Sequence, residues 1–200
     1  GLLLEVPELP NLNERIRNLY FHVPMWFTMI VLFTISVVYS IKYLSSGKEN
    51  DDLMAVESVN AGIIFTLLGL LSGMIWANFT WGSPWPDDPK LNSAAIASLM
   101  YLAYLVLRNS MDEEQKRAKI SAIYNIFAYP VMIVLLFVLP RMTDSLHPGN
   151  GGNPGFNSYD LDSSMRIIFY PAVLGWILIG LWVAPLRVRI RKIENKQNAV

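Results

Sequence analysis

Polar and charged positions along this chain fall in bands, and long apolar runs lie between the bands. Arg17 and Lys42 bracket one run free of formal charge. Glu57 and Asp87, Lys90 and Arg108, Lys119 and Arg141, and Arg166 and Arg187 bracket four more. Each run is close to the roughly 20 apolar residues a helix needs to cross a bilayer. The pattern predicts an all-α, polytopic membrane helix bundle. Its spans fall at about 24–44, 54–77, 91–108, 120–140 and 166–186, within a single membrane domain covering 1–200.

Local signals refine the spans. Pro24 fits the first turn of the first helix, which ends in Ser45-Ser46-Gly47-Lys48. Gly62, Gly69, Ser72 and Gly73 in the second span are small enough to let helices pack closely. Asn92 or Ser93 could cap the third helix. Pro130 is expected to kink the fourth, which membrane bundles tolerate. The stretch 112–119 reads as a solvated connector, and 141–165, rich in glycine and proline, as a flexible polar excursion. Leu2-Leu3-Leu4 running into Glu5 reads as the tail of a further hydrophobic segment, so a sixth span is expected upstream.

Composition strengthens the membrane reading. Hydrophobic residues make up 53% of the chain and charged residues 16%, far from the balance of a soluble domain. The 16 basic and 16 acidic side chains cancel, so net charge points to no partner. Their placement does give an orientation. The connectors 42–55, 108–119 and 187–200 carry eleven Lys and Arg, against five in 1–23, 78–90 and 141–166. The richer set belongs in the cytoplasm, with the C-terminus. Cysteine is absent, which excludes disulfides, thiolate metal sites and covalent haem attachment through C-x-x-C-H.

That topology gathers candidate chemistry on the extracytoplasmic side. The segment before the first span holds His22, the loop 78–90 holds Trp81 and Trp85, and the last long loop holds His147; the chain has no other histidine. Neutral imidazole is a good axial ligand for haem iron. A porphyrin also wants aromatic surface and a cation for each propionate, and Arg17, Lys90, Arg141 and Arg166 lie on that side. Taken singly, each histidine also reads as a helix cap or interface residue, and the tryptophans as an interfacial belt. A small-solute permease, of ABC type or otherwise, is the alternative, although Asn60, Asn125 and a few hydroxyls are the uncharged polar groups that the spans offer it. A membrane hydrolase lacks both H-E-x-x-H spacing and a buried acid pair.

Several motifs in combination carry a resemblance over nearly the whole chain. Trp81-Gly82-x-x-Trp85-x-x-Asp88, continuing Pro89-Lys90-Leu91-Asn92-Ser93, resembles the tryptophan-rich "WWD" signature of haem-handling proteins of cytochrome c biogenesis. Tyr20-Phe21-His22-Val23-Pro24 and Ser145-Leu146-His147-x-Gly149 resemble the two histidine motifs of one branch, the haem exporter protein C (CcmC) family. Trp76 matches a further tryptophan of that family. The channel-ligase (CcsA) branch shares the loop but has more helices and a large soluble portion. The resemblance implies a non-enzymatic, six-helix protein of the bacterial inner membrane. It would hold non-covalent haem b at the outer face and deliver it to a periplasmic haem chaperone, the E component. Its other partners would be the ABC-type transporter subunits and a small membrane subunit of the maturation system. His22 and His147 would be the axial ligands to haem iron. Trp76, Trp81, Trp85 and Asp88 would form the haem-edge platform, with Arg17 and Lys90 on the propionates. Pro84 and Asp87 stand where that family usually has tryptophan, which leaves fewer stacking surfaces.

Overall fold

The computed structural model describes residues 6, 13–147 and 161–198. The apolar tail at 2–4 and most of the glycine-rich excursion, including Gly149, lie outside these residues. Five α-helices account for most of the rest: α1 (Leu19–Ser46), α2 (Glu49–Trp81), α3 (Pro89–Asn109), α4 (Glu114–Ile133) and α5 (Ser163–Asn198). A short 3-10 turn, Asn13–Asn18, leads into α1. All five are long and apolar enough to cross a membrane, as the banding predicts.

Apart from α4, whose α-helical winding stops at Ile133, the helices overrun the predicted spans at both ends, because charge marks where hydrocarbon stops and not where hydrogen bonding stops. Pro24 sits inside α1 and not in its first turn. Its missing N–H leaves the Tyr20 carbonyl without its helical donor, and Thr28 Oγ donates to the Pro24 carbonyl at 2.8 Å. At the other end of α1, Gly47 takes φ +64°, and Ser46 Oγ donates to Asp51 at 2.7 Å, fixing the turn into α2. Three acidic residues in the first turn of α2, Glu49, Asp51 and Asp52, suit the positive end of its dipole.

Pro130 lies inside α4, three residues before its end. The α-helical winding of α4 gives way to a wider π turn at Val134–Val138 and a 3-10 turn at Leu139–Arg141. Beyond these turns the chain comes to the end of α2, where His147 meets Trp81.

The core is built around α1. Met29, Leu32 and Phe33 of α1, Val59 and Ala61 of α2, Tyr101 and Tyr104 of α3 and Met132 of α4 are almost wholly buried. Phe33 stacks on Tyr101 with centroids 3.6 Å apart. Small residues make this possible: a β-carbon at Gly62 would collide with the Phe33 ring, and one at Gly180 with the Thr28 methyl. The buried amide of Asn125 donates to Ser36 at 2.6 Å and Ser40 at 3.0 Å, and Ser36 donates to the Ala55 carbonyl at 2.7 Å. These polar groups of the spans bind one another, stitching α1, α2 and α4 together.

The end of α2 nearest its N-terminus carries two ion-pair clusters that charge banding did not foretell. Asp52 takes a two-pronged contact from Arg108 of α3, at 2.8 and 2.5 Å. Glu57, only 1% exposed, accepts from Arg187 at 2.8 Å and Arg191 at 3.4 Å, both on the extension of α5.

Candidate functional site

The other end of α2 builds the candidate site. On this helix Gly69, Ser72 and Gly73 form a shallow seat without side-chain bulk. The His22 imidazole of α1 lies in it so closely that a β-carbon at Gly73 would sit 2.7 Å from its Cε1. His22 Nδ1 is 3.0 Å from the Gly69 carbonyl and 3.1 Å from Ser72 Oγ. The glycines read from sequence only as packing residues therefore seat a candidate ligand.

One turn further along α2, Trp76 meets Trp81 edge to face at 5.1 Å, and Trp81 meets His147 in the same way at 4.9 Å. Trp81 is the last residue of α2, closed by Gly82 at φ +77°, and so belongs to the helix and not to the loop. Three rings, Trp76, Trp81 and His147, thus meet in a row at the end of α2. His22 is seated at Gly73 about one turn before them, and the two imidazoles are near enough to interact electrostatically.

The loop itself is short, 82–88, and folds back on α3. The Trp85 indole donates to Asn92 Oδ1 at 3.1 Å, and Asn92 donates to Asp87 at 3.3 Å. Asp87, in place of an aromatic residue, thus braces the loop. Trp85 remains 37% exposed and does not take part in the ring row with Trp76 and Trp81.

Asp88 is the cap of α3, displacing the Asn92 and Ser93 expected there. It accepts from the Lys90 and Leu91 amides at 2.9 and 3.2 Å, and Pro89 occupies the first helical position, where its missing N–H costs nothing. The second carboxylate oxygen accepts from Ser145 Oγ at 2.8 Å and the Leu146 amide at 2.7 Å. His147 Nδ1 lies 3.1 Å from the first. At 1% exposure, Asp88 offers no surface to a flat ligand. It ties the loop, α3 and the chain after α4 into one unit.

The electrostatics follow from these contacts. Burial works to raise the Asp88 pKa, but the hydrogen bonds from Leu146 and Ser145 and the nearby His147 outweigh it and hold the carboxyl below its ordinary value. Burial, reinforced by the Lys90 charge and opposed by Asp88, pushes His147 down to about 4. At neutral pH His147 is therefore neutral, and its contact with Asp88 is a hydrogen bond from imidazole to carboxylate. Arg17 is turned toward Glu14 on its own 3-10 turn, while Lys90 lies within the electrostatic reach of Asp88, His147 and Arg141. The two proposed propionate contacts thus differ: Lys90 stands beside the ring row, and Arg17 is engaged with Glu14.

Among the described residues no group of three or more His, Asp or Glu could hold a metal ion. Two imidazoles whose Nδ1 atoms are already occupied suit a metal that brings its own equatorial ligands. The model of the CcmC family, heme exporter protein C, matches residues 3–200. The chain belongs to that family. It is 24% identical over 185 residues to heme exporter protein C of Bradyrhizobium diazoefficiens, covering 91% of this chain and 70% of that one. It is 25% identical over 187 residues to heme exporter protein C of Rhodobacter capsulatus, covering 92% and 75%. A shorter likeness, 38% over 89 residues, links it to the cytochrome c biogenesis protein CcsA of Prochlorococcus marinus, covering 44% of this chain and 28% of that one. The CcmC membership and the CcsA likeness match the two branches that share the tryptophan loop.

For this CcmC-family chain, sequence named Trp76, Trp81 and His147, whose rings the fold brings edge to face, and His22, which it seats about one turn earlier on α2. It missed Ser72, Gly73 and Ser145. Ser145 stood inside a quoted motif, but nothing in sequence links it to a carboxylate 57 positions earlier.

Proposed function

We propose that this protein binds haem b non-covalently between His22 and His147 at the extracytoplasmic membrane face and passes it to a periplasmic haem chaperone. Membership of the heme exporter protein C family, with a cytochrome c biogenesis protein among its relatives, places it in cytochrome c maturation. The finer reading rests on one observation: both imidazoles are held through Nδ1 at the same end of α2, which leaves Nε2 of each to face iron.

The residues divide the work. His22 and His147 supply the axial nitrogens. Trp81 and Trp76 give the apolar edge beside them, and Trp85, half-exposed on the loop, gives a surface for the porphyrin rim or for the incoming chaperone. Lys90 neutralises a propionate, and Arg17 can do so on exchanging Glu14 for it. Asp88 acts from behind, through His147 and the loop. Handling and hand-off, with no bond made or broken in the porphyrin, account for this set of groups. We further propose the bacterial inner membrane as the location, the C-terminus in the cytoplasm, and ABC-type transporter subunits with a small membrane subunit as partners. The excess of basic residues on the connectors of one side supports that orientation.

The test is spectroscopic. Purified protein reconstituted with haem should show a low-spin, bis-histidine spectrum that His22→Ala and His147→Ala each abolish. If both variants keep the wild-type spectrum, the ligand assignment is wrong.

A further inference from the structure

We propose that the two haem ligands are unequal by construction, His147 being the fixed ligand and His22 the exchangeable one that leaves iron first at hand-off. This rests on the ligand assignment above and goes beyond it.

The difference lies in what stands behind each ring. A carboxylate can only accept, so the contact at 3.1 Å makes His147 Nδ1 the donor. The lone pair of Nε2 is then always free for iron. Asp88 cannot turn away, because Lys90, Leu91, Ser145 and Leu146 hold both its oxygens at 2.7–3.2 Å. Trp81 closes on the ring from the side at 4.9 Å. Tautomer, position and tilt of His147 are all fixed.

His22 is held by groups that permit a choice. The Gly69 carbonyl at 3.0 Å only accepts, but the Ser72 hydroxyl at 3.1 Å can donate or accept. That hydroxyl is also 3.0 Å from the Gly69 carbonyl. When Ser72 donates to Gly69, the His22 Nδ1–H donates to either oxygen and Nε2 can ligate. When the hydroxyl turns to donate to Nδ1, the imidazole has given up its Nδ1 proton and taken one from water at Nε2, with no net change in protons. That nitrogen then has no lone pair for iron. Rotation of one hydroxyl therefore stabilises the released form of His22, and among the described residues the partner of His147 Nδ1 is a carboxylate that can only accept. A carboxylate behind an imidazole also makes it the more basic ligand, which adds to the difference.

The experiment uses the full chain in detergent, loaded with haem and reduced, and follows the rate of carbon monoxide binding, which requires one histidine to leave iron. Ser72→Ala removes the alternative donor, holds His22 in its ligating form, and should slow binding about fivefold, the effect of one hydrogen bond's net worth. Asp88→Asn offers His147 a donor and should speed binding by opening a second exit. An unchanged or faster rate in Ser72→Ala overturns the proposal. An unchanged rate in a folded Asp88→Asn protein does so as well; if Asp88→Asn does not fold, Ser72→Ala decides alone. Failure of the underlying assignment looks different, since His22→Ala and His147→Ala would then leave the haem spectrum intact.

Discussion

The Glu57 carboxylate accepts from the Arg187 guanidinium at 2.8 Å, joining α2 to α5 across 130 residues at the end of the bundle remote from the histidines. With Asn60 donating at 3.1 Å and Arg191 at 3.4 Å, every side of this buried acid is occupied.

Removing the guanidinium leaves that acid uncompensated. Arg187→Ala should destabilise the folded protein by roughly 3 kcal/mol, the lower end for breaking a buried pair, since Arg187 is itself partly exposed. Replacing Glu57 and Arg187 together by apolar residues of similar size should cost less. Thermal unfolding in detergent reads both, and equal losses in the single and double variants would show that the pair carries nothing special. The haem spectrum of the folded fraction should not change.

Gly73→Ala tests the seat of His22. Alanine is the better helix former by about 1 kcal/mol, so the helix itself gains. The added methyl would stand 2.7 Å from His22 Cε1, and the imidazole must move off α2. The expected outcome is an unchanged or higher melting temperature with loss of the low-spin haem signature. A normal spectrum in Gly73→Ala would mean that the ring has room the packing does not show.

The pH dependence has a worked sign. His147 titrates near 4 in the folded chain, below its ordinary 6.5. Between those values the unfolded chain binds the proton and the folded chain does not, so stability falls as pH drops from about 6.5 toward 4. Asp88, also lowered, adds its own loss only below the ordinary carboxylate range. The protection factor of the Leu146 amide, which corrects for the slower intrinsic exchange in acid, should therefore fall on acidification, beginning near pH 6.5. His147→Gln should remove the upper part of that dependence and leave the lower part.

The absence of cysteine makes orientation easy to examine. Met142, 78% exposed, lies on the side of the ring row, and Lys116 lies in the first turn of α4 at the other end. In intact cells a membrane-impermeant thiol reagent should label Met142→Cys and not Lys116→Cys. The reverse result would invert the topology and with it the proposed periplasmic hand-off.

The bundle was legible because charge banding is a property of sequence alone: hydrocarbon excludes Lys42 and Arg187 whatever they touch. Helix lengths were not, since α5 continues for twelve residues past 186, with Arg187 and Arg191 donating to Glu57. The candidate site was legible where it depended on residue type alone, as with Trp81 and His147, whose rings meet in the fold. It was illegible where it depended on what lay opposite. Asp88 looked like part of a flat surface by its place after two tryptophans. Its neighbours in space, Ser145 and Leu146, lie 57 and 58 positions later in the chain, beyond another helix. Gly73 likewise reads as any small residue until α1 lies against it.

The Asp88 carboxylate also sets an order of manufacture. Its α3 partners emerge from the ribosome with it, whereas Ser145, Leu146 and His147 follow 57 residues later, after another complete crossing by α4. A nascent chain halted after α3 has its first imidazole and its tryptophans but not its second imidazole, and its loop is moored on one side only. The row of rings is therefore finished late in biosynthesis, and a product truncated after α3 lacks its last ring, His147.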